Sequence, residues 1–139
     1  MNSVHLVVFG DPKPQKRHRH TSKGRFVRTY DPSSKDKNDL LWVVQNRAPE
    51  KPMEGPLSVH IYCYFTRPKS HYRTGRNSGI LKDGLSDLHT TRPDPDNLAK
   101  LVLDALNGVF FKDDSQICDL FVKKRYDEQP RTEIWITPM

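Results

Sequence analysis

Two pairs of carboxylates stand out in this sequence. Asp94 and Asp96 flank a proline in Arg92-Pro93-Asp94-Pro95-Asp96-Asn97, and Asp113-Asp114 follows some eighteen positions later. Proline fixes its own φ and pushes the residue before it into an extended conformation. In extended chain, residues i and i+2 point the same way, so Asp94 and Asp96 are expected to present both carboxylates to one spot. Like charges that close repel unless a cation or proton lies between them. Hard oxygen ligands of this kind suit Mg²⁺ or Mn²⁺. The same Asp-Pro-Asp-Asn composition also serves plain turns and helix caps, and Asp is common in turns such as 113–114. An EF-hand is excluded, because Leu98 stands at the third ligand position and no glycine follows. If the strand after Asp114 returns beside the start of the helix, Asp114 completes a three-carboxylate cluster. Lys100 falls one helical turn after Asp96, where its ammonium can meet a phosphate drawn to the helix N-terminus.

The elements needed to position these groups can be read from periodicity. Asn97–Asn107 carries Leu98, Leu101, Val102 and Ala105 at helical spacing, with Asp96 or Asn97 as N-cap and Gly108 as stop. Leu57–Phe65 alternates cleanly and is the clearest strand. Val4–Phe9 and Arg25–Tyr30 read as two strands closing a long hairpin around a polar loop at Lys13–Lys23. Pro32-Ser33-Ser34 starts a helix along Leu40, Leu41, Val44 and Ala48. Gln116–Lys124 and Thr132–Thr137 are closing strands. The order β-β-α-β-α-β-β gives an α+β fold: one domain over 1–139, a mixed sheet and two main helices. Within it lie a basic loop at about 11–25, a flexible polar loop at about 67–91 and the acidic segment 92–116.

Charge distribution points to a polyanionic partner. The 139 residues carry 23 Lys+Arg against 17 Asp+Glu, a net charge of +6. Lys13, Lys16, Arg17, Arg19, Lys23, Arg25 and Arg28 fall in a stretch free of acids. Such a run either lies solvated or neutralises phosphates. Apolar runs are too short for a membrane span, and without a charged-then-apolar opening stretch, secretion by a cleaved signal is not expected. Cys63 and Cys118 lie in apolar strands without metal-ligand spacing and read as reduced core thiols of a cytoplasmic protein. Ile, Leu, Val and Phe make up about a quarter of the chain, enough for a small core that favours sharing surface with a second copy.

Three motifs together carry a family resemblance. Asp94-Pro95-Asp96-Asn97-Leu98-Ala99-Lys100, then Asp104-Ala105-Leu106, then Phe111-Lys112-Asp113-Asp114-Ser115-Gln116 resemble the signature of the RusA family of Holliday-junction resolvases. The match is dense from Arg92 to Lys124. The resemblance implies a homodimeric, Mg²⁺-dependent endodeoxyribonuclease, with Mn²⁺ as a substitute ion, acting on four-way DNA junctions by paired nicks in recombination and repair. It implies no small-molecule cofactor, and a cytosolic, nucleoid-associated protein. By the same resemblance Asp94, Asp96 and Asp114 are metal ligands and Lys100 is the catalytic lysine. Asp104 and Asp113 occupy motif positions with no chemistry assigned. Lys13, Gln15, Lys16, Arg17, Arg19, Arg92 and Asn97 fall in the regions that contact DNA in the family. A protein that binds branched DNA with little turnover is the alternative; for a dimer, Phe110, Phe111, Phe121 and Trp135 are the apolar residues expected to supply buried surface.

Overall fold

The computed structural model describes residues 2–17, 19–23 and 26–139, with backbone alone for 19–23 and 26–28. Its strands are β1 (Val4–Phe9), β2 (Arg19–Lys23), β3 (Phe26–Tyr30), β4 (Leu57–Phe65), β5 (Ile117–Tyr126) and β6 (Arg131–Pro138). Its two α-helices are α1 (Ser34–Val44) and α2 (Pro95–Leu106). The fold is α+β, a four-stranded mixed sheet with two helices, as the periodicity predicts.

Strand order is β1-β6-β4-β5. β6 pairs antiparallel with both β1 and β4, while β4 and β5 run parallel. A parallel pair needs a crossover, and α2 lies between β4 and β5 in the chain. Along β4 the odd positions Leu57, Val59, Ile61, Cys63 and Phe65 are buried and the even ones half-buried, the alternation read from sequence. Leu6, Ile134 and Ile136 join them in one cluster with Leu40 and Val44 of α1 and Leu98, Leu101, Val102, Ala105 and Leu106 of α2. Both helices therefore cover one face of the sheet. Complete burial of side chains such as Leu57 or Ile61 stabilises the fold by about 1.5–3 kcal/mol each. The opposite face carries aromatic and basic side chains: His5 stacks on Trp135 at 3.6 Å, His60 meets Phe121 at 5.4 Å and Lys123 lies 4.4 Å over the Tyr62 ring.

Several expectations change. The hairpin is formed by β2 and β3, which make a separate two-stranded sheet; β1 pairs with β6 instead. Part of the polar loop is thus a strand, because β-branched and aromatic residues of β3 recruit the polar β2 as partner. Arg25 lies outside the described residues. Helix α2 begins at Pro95, a favoured first position, so Asp94 is the N-cap and Asp96 already helical. Phe110 and Phe111 are fully buried in their own core, whereas Cys118 is exposed. Burial pushes the Cys63 thiol up to about 12, so it is unreactive. The 67–91 stretch contains 3₁₀ turns at Lys69–His71 and Gly75–Asn77, and Leu88 bridges to Arg125 at the end of β5.

Candidate active site

The basic arm is held by a polar network at its root. Asp31 accepts from Lys37 Nζ and Gln15 Nε2 at 2.6 and 2.8 Å and from the Ser33 N–H at 2.9 Å. These donors, Lys37 first, hold its carboxyl well below the usual carboxylate range. Lys37 also reaches Asp104 on α2 at 3.3 Å. Ser33 sits at the α1 N-cap, yet its hydroxyl accepts from the Lys16 N–H at 2.8 Å and not from the helix. The Gln15 N–H donates to the Asn97 carbonyl at 2.8 Å, fastening the arm to the first turn of α2. Gln15 is buried and its Oε1 has no partner among the described residues.

Between this arm and the α2 N-terminus lies an open cleft of about 910 Å³, lined by 12–17, Asp36 and the Arg92–Asp94 and Asn97 approach. Lys13, Gln15, Lys16, Arg17, Arg92 and Asn97, six of the residues assigned to DNA by resemblance, meet Asp94 there. Arg19 lies on β2, where only backbone is described, and His18 lies outside the described residues. Lys13, Lys16, Arg17, Arg92 and Asp94 are exposed, so the cleft is a wet, charged surface. An adjoining, more apolar cavity of about 330 Å³, reaching Val8, Cys63 and Val102, shares Asp36 with it.

Asp94 makes no side-chain cap bond; the Leu98 N–H donates to its carbonyl at 3.2 Å. Its carboxylate stays free at a helix N-terminus, which otherwise favours anions. Asp96 and Lys100 are exposed along α2 and, with half-buried Leu103 and exposed Asn107, form the helix's outward stripe. Asp96 and Lys100 thus share a face, as their spacing predicts.

Asp114 lies elsewhere. Asp113 caps a 3₁₀ turn, accepting from the Ser115 N–H at 3.1 Å while Gln116 Oε1 accepts from the Asp113 N–H at 2.8 Å. Gln116 Nε2 donates to the Met53 and Gly55 carbonyls before β4. Bonding to the Asn107 side chain places Asp113 at the C-terminal end of α2. A helix of 12 residues is about 18 Å long. Asp94 and Asp96 are therefore at one end of α2 and Asp114 at the other, against the expectation that the returning strand brings them together. The return joins β5 to the near end of the helix; only β5's far end comes back, where Lys124 Nζ donates to the Thr91 carbonyl. No three His, Cys, Asp or Glu side chains among the described residues form a metal-holding group.

The sequence profile described as Endodeoxyribonuclease RusA matches residues 10–137. The chain belongs to the RusA endodeoxyribonuclease family. It is also 36% identical over 138 residues to the uncharacterized protein YqaN of Bacillus subtilis (strain 168), covering 98% of this chain and 96% of that one. The cleft sets exposed cations beside a carboxylate that has no side-chain partner among the described residues. Among the described residues no helix is long and apolar enough to cross a membrane.

Sequence reading missed Asp31, Ser33, Asp36 and Lys37. Ser33 and Asp36 had one signal, the helix-start composition at 33–36. Nothing local announces that Lys37 bridges to Asp104, since that pair exists only once α1 packs on α2.

Proposed function

We propose that this protein is a divalent-metal-dependent endonuclease that hydrolyses phosphodiesters in branched DNA, four-way junctions above all. The observation that carries this reading is the cleft that joins the free cations of the arm to Asp94 at the α2 N-terminus. Lys13, Lys16, Arg17 and Arg92 would grip the backbone on both sides of the scissile phosphate. The donor chemistry fits a hard cation: Asp94 and Asp96 are exposed carboxylates without side-chain partners among the described residues, adjacent at one helix end. They would hold Mg²⁺, or Mn²⁺ in its place. When bound, the ion polarises the phosphoryl oxygens and lowers the pKa of the attacking water. Lys100, one turn along the same face, stabilises charge developing on the phosphate. Gln15 and Asn97 act by position, locking the arm to the helix that carries the acids.

Cutting four-way junctions cleanly requires matched nicks in opposed strands, which two chains in a C₂ dimer supply. The test is a panel of junction, flap and duplex substrates in Mg²⁺ with and without EDTA. Paired nicks in the junction, abolished by EDTA, are expected. Tight junction binding with no product in Mg²⁺ or Mn²⁺ identifies a binding protein and overturns the reading.

A further inference from the structure

We infer that residues 71–82 form a finger that enters the major groove of a duplex arm of the substrate. Arg76 and Asn77 at its tip read base edges there and so select the arms on which the protein cuts. This rests on the nuclease reading above and names what is recognised beyond the scissile phosphate.

The sequence supplies a second basic stretch that the cleft does not use. Residues 66–82 contain Arg67, Lys69, Arg73, Arg76 and Lys82 and no acid. The stretch is nonetheless built. Tyr72 bridges to Leu81, with the Arg73 N–H donating to the Ile80 carbonyl at 2.8 Å and the Lys82 N–H to the His71 carbonyl at 3.0 Å. Residues 71–73 and 80–82 are thus an antiparallel ribbon. Gly75, at φ +67°, and the 3₁₀ turn over Gly75–Asn77 close its tip.

The feet of the ribbon are clamped to the sheet. The Arg67 guanidinium lies 5.0 Å over the Tyr126 ring and donates to the Ser86 carbonyl at 3.2 Å. The Tyr126 N–H donates to the Asp87 carbonyl at 2.7 Å, and the His89 ring stacks on Phe65 at 4.0 Å. From there the chain runs to Thr91, whose carbonyl accepts from Lys124 Nζ at 2.6 Å, and then to Arg92 in the cleft. Finger and Asp94 are therefore mounted on one framework, so DNA held by the first is presented to the second.

The groups left free are those of a base reader. Arg73 pairs with Asp83 at 3.3 Å. Arg76 and Asn77 are exposed, and their side chains have no partner among the described residues. In the major groove Arg pairs bidentately with guanine O6 and N7, and Asn with adenine N6 and N7. Ile80, 52% exposed beside the tip, suits a thymine methyl. Paired strands lie about 4.8 Å apart; a major groove about 12 Å wide admits such a ribbon, and a minor groove of about 6 Å does not. The deep, narrow major groove of A-form RNA excludes side chains, which makes the ligand B-form DNA. Exposed Lys69 and Lys82, also unpaired among the described residues, would meet phosphates along the groove's rims.

Dimethyl sulfate, which methylates guanine N7 in the major groove, tests this on a four-way junction bound in EDTA. Wild type should protect guanines in a duplex arm, and Arg76→Ala with Asn77→Ala should lose that protection while still retaining the junction. In Mg²⁺, on junctions differing only in arm sequence, wild-type cutting rates should spread by about 5- to 150-fold, the discrimination of one bidentate base contact. The double variant should cut them all alike. Guanines that stay reactive under bound wild type, protection or a rate spread that survives the double variant, or equal wild-type rates on every arm overturn the finger alone. A protein that shows the protection yet cuts nothing in Mg²⁺ or Mn²⁺ overturns the nuclease reading and leaves the groove contact standing.

Discussion

Replacing Lys13, Lys16 and Arg17 together with alanine should weaken DNA binding in a way that salt reveals. All three are exposed, line the cleft and have no ion-pair partner among the described residues. They are thus free to neutralise phosphates, and each neutralised phosphate contributes about 0.9 to the slope of log K against log salt. Losing three contacts should flatten that slope by about 2.7. Between 50 and 200 mM salt, the wild type should then lose about 40-fold more affinity than the variant. Fluorescence anisotropy with a labelled junction across a salt series measures this directly. Lys51→Ala, on an exposed loop that lines a different pocket, is the control and should leave the slope unchanged. An affinity loss in the triple variant with the slope intact would refute the reasoning, since it would make these residues supports of the arm and not phosphate ligands.

Asp94→Asn or Asp96→Asn should cut junctions at least about 100-fold more slowly while binding them as tightly or more so, because a metal ligand and a repulsive charge are lost together; a near-wild-type rate in single-turnover cleavage would remove that residue from the site. Lys37→Met leaves Asp31 and Asp104 facing each other without a cation and should cost about 2–4 kcal/mol in urea unfolding, whereas a change near zero would show the network to be dispensable. Asp31 has a depressed carboxyl pKa, so its contribution is fully present above its ordinary value of 3.8 and is lost as pH falls below it; acid unfolding of Asp31→Asn should show a shallower pH dependence below that point. Phe110→Ala opens a void in the core and should cost about 3–5 kcal/mol by thermal or chemical unfolding.

Patterns confined to one element were legible in the sequence. β4 shows the alternation of its residues without exception, and the apolar stripe of α2 follows from Leu98, Leu101, Val102 and Ala105. The arm's place beside Asp94 was not legible from the residues themselves, because Lys13–Arg17 lie about 80 positions away in the chain; only the family resemblance put both segments in regions that contact DNA. What depends on which strands meet was not legible. The register β1–β6 joins Val4 to Ile136, and no local feature distinguishes that pairing from a hairpin with β3. The position of Asp114 failed for a related reason: whether a returning chain reaches the near or far end of a helix is decided by the parallel β4–β5 pairing. The proline rule placed Asp94 correctly in extended chain, but Pro95 suits the first helical position, so helix nucleation overrode the extended pairing expected for Asp96.

The placement of β6 also bears on how the protein is born. It is the interior strand that joins β1 to β4, although it is the last of the six to be made. During synthesis β1 therefore waits without a partner while β4, α2 and β5 emerge, and the sheet closes only when Arg131–Pro138 has left the ribosome. Until then β1 and β4 each show a bare strand edge that a chaperone or another nascent chain can occupy. Polysomes making this protein should accordingly carry protease-sensitive chains up to that point, and any stop codon that removes β6 should yield an aggregation-prone fragment, with no weakened but folded nuclease.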